Sequence, residues 1–188
     1  MFKNGKALGS QVADLVGRLG RAAHCLQFAE GLNPAQWEAL RFLARANCYS
    51  RSPTALAEYL GTTKGTASQT IRALEAKGYI ARKAHPKDKR VVTLDLTGEG
   101  TAILGRDPIR RVENAATALP AEMGEAIRSG LAALMGRLQA DCGGTSFGQC
   151  QQCGHLRGEG EAQKCGLNGD VLSEGDREKL CVNFAAAR

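Results

Sequence analysis

The chain between Ser52 and Gly98 constrains the fold more than any other stretch of the sequence. It begins with a serine–proline pair, which favours a helix start because the serine hydroxyl accepts from free backbone amides and proline's fixed φ suits the first turn. It ends with two β-prone runs, residues 79–82 and 91–96, on either side of a polar turn. Two short helices followed at once by a hairpin predict a winged helix-turn-helix, within a protein that is mainly α with a small β wing.

The second of these helices follows Gly61, which allows a sharp turn. Thr62 or Thr63 is expected to cap the helix, which runs to about Lys77. One face is apolar at helical spacing: Ala67, Ile71 and Leu74. The rest of the turn and helix is small, polar and cationic, as suits a DNA major groove, and supplies these candidate DNA contacts: Thr62, Thr63, Lys64, Thr66, Ser68, Gln69 and Arg72.

The turn of the hairpin concentrates positive charge. Its candidate DNA-binding residues are Lys87, Asp88, Lys89 and Arg90. Such a tip can lie against phosphates or enter the minor groove, where lysine and arginine gain from the negative potential. The alternative is a solvated basic loop, which we weigh lower because a capped helix with a polar outer face lies next to it.

Five blocks of this sequence together resemble the MarR family of bacterial transcriptional regulators. They are residues 33–43, 55–61, 74–80, 88–90 and 96–100. The resemblance covers roughly residues 5–140 and implies a homodimer that places one winged domain on each half of a pseudo-palindromic operator in double-stranded DNA. It also implies that Arg90 contacts DNA and that Asp88 braces it.

Helical patterns surround the winged part, which we place at about residues 33–97. Residues 11–28 carry an apolar stripe, and Asn33, Pro34 and Gln36 form a favourable start for the next helix. Residues 97–118 and 121–138 make a final pair separated by Pro120, with Pro108 a possible kink. We therefore expect a domain over residues 1–140, with its own core and with dimerisation helices at about 6–30 and 98–140, and a separate tail over 141–188.

Charge and motif content narrow the function. The net charge is +6, and residues 141–188 hold five basic and seven acidic side chains, so the positive excess lies in the first 140 residues. We find no membrane segment or secretory leader, and expect a cytoplasmic protein without membrane partners. The nucleotide, metalloprotease and hydrolase motifs are absent, so we expect no enzyme.

Five of the seven cysteines lie after Leu138, in a glycine-rich tail. Cys150 and Cys153 form a C-x2-C pair, and Cys165 and Cys181 follow after 11 and 15 intervening residues. Four thiolates satisfy the ligand count of a structural zinc site or an iron–sulfur cluster. Metal binding would also supply folding free energy that a tail with few apolar residues lacks. We therefore predict a metal-stapled tail with these four cysteines as ligands.

The spacing favours a 4Fe–4S iron–sulfur cluster over Zn²⁺, because a structural zinc site usually has two close cysteine pairs and this tail has one. A thiol or disulfide switch without metal is the third possibility. His155 is an alternative ligand or an outer neighbour. Cys142 is an extra ligand candidate or redox thiol. Cys48 is a candidate sensing thiol if cations such as Arg45 or Arg51 lower its pKa.

Together these features predict a dimeric DNA-binding transcriptional regulator, a repressor, whose DNA affinity follows the redox or iron state of the cysteine-bound centre. The tail follows the dimerisation helices directly, so the centre would act by changing their packing. One alternative is a repressor that responds to a small aromatic effector and carries a purely structural zinc site. Another is a metal-dependent redox protein that transfers electrons.

Overall fold

The computed structural model describes residues 3–84, 92–142, 147–158 and 163–185, with the backbone alone for 3–6 and 139–142. The first part of the chain contains α1 (Lys3–Leu26), α2 (Pro34–Arg45), α3 (Pro53–Tyr59), α4 (Lys64–Ala76), β1 (Ile80–Ala84), β2 (Val92–Leu96), α5 (Gly98–Ile103), α6 (Arg110–Thr117) and α7 (Ala121–Cys142). The tail adds β3 (Gly148–Gln149), β4 (Leu156–Arg157), β5 (Lys164–Cys165), α8 (Glu174–Arg177) and β6 (Leu180–Cys181).

Side-chain caps start the helices of the winged part where the sequence predicts them. Asn33 and Gln36 form a reciprocal capping box, in which Asn33 Oδ1 accepts from the Gln36 amide at 2.9 Å. The Ser52 hydroxyl accepts from the Ala55 amide at 3.1 Å. Thr63, rather than Thr62, caps α4 by accepting from the Thr66 amide. Local hydrogen bonding therefore sets three helix starts.

The main apolar core of the described residues lies between α2, α3, α4 and the hairpin, and a second, smaller cluster lies in the tail around Leu172. The hairpin is antiparallel, with Ile80 opposite Leu96 and Ala84 opposite Val92. Its inward residues meet the inner faces of the helices, and burying this apolar surface stabilises the unit. Eight of the large side chains are completely or almost completely buried: Trp37, Leu40, Phe42, Leu43, Leu56, Ile71, Leu74 and Leu94. This core holds α4 with its opposite face outward.

The helix predicted over residues 97–118 is wrong as a continuous element. Helix α5 ends at Ile103, a 3₁₀ turn follows over Leu104–Arg106, and α6 begins only at Arg110. Pro108 causes the break, because it has no amide to donate and disfavours helical torsions at the residue before it. Asp107 accordingly has ψ of 121°, and its carboxylate accepts from the Ile109 amide.

Helices α1 and α7 expose apolar faces in this chain. The exposed large apolar side chains on them are Leu8, Val12, Leu15, Val16, Leu19, Met123, Ile127, Leu131, Met135 and Leu138. The stripe predicted along α1 is thus present, in a helix that starts earlier, at Lys3. Dimerisation through these faces stays a prediction. None of the described helices is long and apolar enough to span a membrane.

The tail packs onto the winged part and adds Leu180 to a core whose other buried residues lie within residues 32–103. Leu180 is buried in that core, with Phe147 and Val182 packed against it. The Phe147 ring meets the rings of Phe42 and Tyr59 edge-on, at centroid distances of 5.7 and 5.3 Å. The sequence pattern misses this docking because it joins residues far apart in the chain.

Candidate nucleic-acid interface and cysteine pocket

Helix α4 presents the predicted polar face to solvent. Its buried residues are Ala67, Thr70, Ile71 and Leu74. Five of the candidate contact residues on and before the helix are exposed: Thr63, Lys64, Thr66, Gln69 and Arg72. The other two, Thr62 and Ser68, are half-buried. The hydrogen bonds that the described residues show among these side chains are local, such as Thr63 Oγ1 with Thr66 Oγ1 at 3.0 Å. This face is open to a partner in the single chain.

The hairpin lies beside α4, and an ion pair joins the two elements. Arg82 Nε contacts Glu75 Oε2 of α4 at 2.9 Å. The predicted contact residues of the tip, Lys87, Asp88, Lys89 and Arg90, lie outside the described residues. The described strands therefore fix where the tip begins and ends, and the tip contacts stay predictions.

The turn between α2 and α3 (residues 46–52, the α2–α3 turn) supports the hairpin from behind. The Leu94 amide of β2 donates to the Arg51 carbonyl at 2.7 Å. Arg51 Nη1 donates to Asp95 Oδ1 at 3.2 Å, and its Nε to the Ala46 carbonyl at 3.1 Å. Burial works against the Asp95 charge, but Lys83 and Arg51 hold the pKa of Asp95 below its ordinary value.

Four cysteines of the tail line one small pocket. They are Cys150, Cys153, Cys165 and Cys181, the four predicted ligands. Pairing of β3 with β6 brings Cys181 beside the segment that carries Cys150, and pairing of β4 with β5 places Cys165 opposite Leu156. The other lining residues are mainly apolar or amide-bearing: Tyr49, His155, Leu156, Leu167, Asn168, Leu172 and Asn183.

Hydrogen-bond donors surround the sulfurs. Asn47 Nδ2 donates to Cys150 Sγ, and the Ala185 amide to Cys153 Sγ, each at 3.5 Å. Cys150 and Cys181 are buried and hydrogen-bonded to each other. That bond, supported by Asn47, lowers the pKa of Cys181 to about 6, while it and burial raise the pKa of Cys150. The pocket thus favours a thiolate at Cys181.

Sharing one pocket does not bring these sulfurs to one point. Among the described residues, no group of three or more His, Cys, Asp or Glu side chains is positioned to hold a metal ion. His155 lines the pocket, and its backbone carbonyl accepts from the Gly166 amide at 2.7 Å. The structure places the four predicted ligands around a common space, and their role as ligands stays a prediction.

The other candidate thiols lie apart from this pocket. Cys48 is exposed and lines a shallow cavity with Asp170 and Asp176. Arg51, one of the cations expected to activate Cys48, contacts Asp95 and the Ala46 carbonyl. Cys25 is exposed on α1. The side chain of Cys142 lies outside those described, so its role as extra ligand or redox thiol stays a prediction.

Two buried polar residues of the α2–α3 turn were missed by the sequence reasoning. Asn47 and Ser50 are 1% and 0% exposed. Asn47 contacts Cys150, and Ser50 Oγ accepts from the Val182 amide at 2.8 Å. No spacing or motif marks them, because their partners lie at the far end of the chain.

An open groove lies between the end of α1 and the start of α6. Phe28 and Pro108 supply apolar surface, and the charged lining residues are Glu30, Arg106, Asp107, Arg110 and Arg111. Arg106 is paired with Glu30 at 3.3 Å.

Comparison with known proteins relates the winged part to one family. Residues 30–91 match the model of the MarR family. The chain is 35% identical over 74 residues to the HTH-type transcriptional repressor YetL of Bacillus subtilis, a match that spans 39% of this chain and 44% of YetL. It therefore matches less than half the length of that curated relative.

Solved structures extend the likeness to most of the fold. A MarR family protein from Bacillus stearothermophilus superposes with a TM-score of 0.59 at 18% identity, over 74% of this chain and 99% of its own. Streptococcus pneumoniae FabT, solved in complex with DNA, gives a TM-score of 0.54 at 21% identity, over 72% and 97%. Residues 30–91 thus resemble the winged-helix part of the MarR family, and the larger part of the chain has the fold seen in these solved structures.

Proposed function

We propose that this protein is a homodimeric transcriptional repressor that binds a pseudo-palindromic operator, and that a centre held by its cysteine pocket controls the DNA affinity. The observation that carries the DNA-binding role is the open polar face of α4 beside the hairpin, in a part of the chain that matches the MarR family model. YetL is a repressor and FabT was solved with DNA, which supports the same role here.

The pocket has the chemistry expected around metal-bound thiolates. Cys150, Cys153, Cys165 and Cys181 line it, amide groups donate to two sulfurs, and Leu156 and Leu172 form apolar wall. Such donors and such shielding tune bound clusters. These four residues would hold the centre, and the donor set therefore fits it.

The cysteine spacing in the sequence supports a 4Fe–4S cluster over a single Zn²⁺, because a structural zinc site usually has two close cysteine pairs and this tail has one. When bound, such a cluster would supply a one-electron redox change and sensitivity to iron supply.

Loading and operator binding test the proposal together. Protein purified without oxygen is analysed for iron, sulfide and zinc, and its visible spectrum is recorded. We expect iron and sulfide, with metal content lost in each single Cys→Ser variant at positions 150, 153, 165 and 181. A Cys25→Ser variant is the matched control and should load normally. Full metal content in any one of the four Cys→Ser variants would contradict the proposed metal site.

Operator affinity then separates a sensor from a structural centre. We expect loaded and metal-free wild-type dimers to differ at least tenfold in operator dissociation constant at one fixed salt concentration. Equal affinities in both states, with stoichiometric zinc, would favour the structural-zinc alternative. Reversible electron transfer without any change in DNA affinity would favour the electron-carrier alternative.

The groove between α1 and α6 supports a second candidate, regulation by a small aromatic effector. Its apolar wall, together with Arg110 and Arg111, fits a ring that carries a negative charge. Salicylate is a simple probe. Salicylate-induced release of operator from metal-free protein, abolished by Arg110→Ala, would establish effector control independently of the cysteines.

A further inference from the structure

We infer that Asn47 and Ser50 are positioning residues that link the cysteine pocket to the hairpin of the winged helix. The inference rests on the proposed role of the pocket. It differs from the expectation from sequence, in which the centre changes DNA affinity through the packing of the dimerisation helices. Four hydrogen bonds join described residues of the tail to Asn47, Tyr49 and Ser50, and Leu180 forms a β-bridge with Ala46. The tail therefore contacts the α2–α3 turn directly.

On the side that faces the tail, the side chains of Asn47 and Ser50 are hydrogen-bonded both to each other and to the tail. Asn47 Oδ1 accepts from the Ser50 amide at 3.1 Å and from Ser50 Oγ at 2.7 Å. Asn47 Nδ2 donates to Cys150 Sγ, and Ser50 Oγ accepts from the Val182 amide next to Cys181. Buried polar groups retain partners because an unpaired one is costly. A displaced Cys150 sulfur therefore requires Asn47 to move with it.

On the DNA side, the same turn holds β2. The Arg51 carbonyl accepts from the Leu94 amide at 2.7 Å, and the Arg51 guanidinium bonds both Asp95 and the Ala46 carbonyl. Leu94 lies in the middle of β2, opposite Arg82 of β1. Movement of the turn is thus passed to the middle of the hairpin by main-chain hydrogen bonds.

The chemistry at sulfur supplies the difference between the two states. A metal-bound thiolate carries negative charge, and a charge-assisted hydrogen bond from Asn47 is stronger than one to a neutral thiol. Binding of the centre therefore favours the turn position in which Asn47 reaches Cys150. Loss of the centre removes that preference, and the hairpin is released toward a different orientation on DNA.

The first experiment needs no metal, so its failure is distinct from failure of the proposed function. Exchange of the Leu94 amide is measured in the reduced, metal-free full chain for Asn47→Ala, Cys150→Ala and the double variant. We expect each single change to speed exchange about five- to tenfold, and the double change to speed it no further. Additive effects would overturn the link between Asn47 and Cys150.

The second experiment measures the regulation itself. Asn47→Ser keeps an oxygen near Ser50, is too short to donate to Cys150 Sγ and buries no charge beside the cysteines, so it is the second variant if Asn47→Ala unfolds. In folded Asn47→Ser that still loads, we expect the loaded-to-free affinity ratio to fall to below about threefold. Lys179→Ala is the control, since it breaks the ion pair with Asp176 elsewhere in the tail, and it should keep the wild-type ratio. A wild-type ratio in Asn47→Ser would overturn the inference.

Discussion

The Arg41 guanidinium is bound by both carboxylate oxygens of Asp107, with Nε 2.7 Å from Oδ2 and Nη2 3.2 Å from Oδ1. It also donates to Gln27 Oε1 near the end of α1 and to Glu38 Oε1 of α2. Burial works against its charge, yet the bonds to Asp107 and Glu38 raise the pKa of Arg41 above its ordinary value. This cluster joins the winged-helix core to the segments that lead into the outer helices.

Removal of the Asp107 carboxylate should be strongly destabilising. Asp107→Ala leaves a largely buried guanidinium without its main partner, and we expect the free energy of unfolding to fall by about 3 kcal/mol. Urea denaturation measures the change. Glu125→Ala, which breaks the exposed pair with Arg128, is the control and should leave the midpoint unchanged. Similar losses in both variants would show that burial of the Arg41 pair has no special effect.

The outer face of α4 should carry sequence discrimination. Gln69→Ala and Arg72→Ala should each reduce the preference for operator over random DNA by about 1–3 kcal/mol, because a bidentate base contact is lost. Competition binding at constant salt measures this preference. Lys164→Ala removes an exposed cation from the tail and should not change it. If both α4 variants retain full discrimination, this face does not recognise bases.

The hairpin tip should contribute affinity without sequence preference. Arg90 lies outside the described residues, and its role follows from the basic tip sequence. Arg90→Ala should weaken binding to all DNA and reduce the slope of log affinity against log salt concentration by about one. An unchanged slope would place Arg90 away from the phosphates.

The apolar faces of α1 and α7 should form a dimer interface in solution. Leu15 and Ile127 are 60% and 45% exposed in the single chain. Leu15→Glu and Ile127→Glu place charges where apolar contact is expected, and should shift sedimentation from dimer to monomer. Arg18→Glu changes an exposed polar position of α1 and should sediment as wild type. A wild-type monomer that binds operator would contradict this prediction.

The tail should stabilise the winged part directly. Leu180 is 7% exposed in the winged-helix core, so Leu180→Ala should cost about 2–4 kcal/mol of stability. Val171→Ala, at a site that is 71% exposed in the same tail, should cost little. Amide exchange in α2 and α4 reports on the winged part. Unchanged protection there in Leu180→Ala would show that the winged part folds without the tail.

Local signals in the sequence predicted the winged part well. Asn33, Ser52 and Thr63 cap their helices through residues three positions away, so short-range pattern is sufficient. The exposed face of α4 followed from helical spacing for the same reason. The prediction failed at Pro108, where a helical apolar pattern continues through a residue that breaks the hydrogen-bond ladder.

Long-range contacts could not be predicted in the same way. The four cysteines were recognised by residue type, but nothing in their spacing indicates that the tail docks on the α2–α3 turn. Asn47 meets Cys150 across 103 positions, and Ser50 meets Val182 across 132. Neither spacing nor local pattern in a single sequence gives a signal for such pairs. Only the docked structure explains why Asn47 and Ser50 are buried.

Placement of Leu180 in the winged-helix core has a consequence for biosynthesis. The ribosome makes α2, α3, α4 and the hairpin before it makes β6, so the winged part is synthesised before Leu180 is available to its core. Chains that end before β6 therefore lack one of the buried apolar side chains of that core.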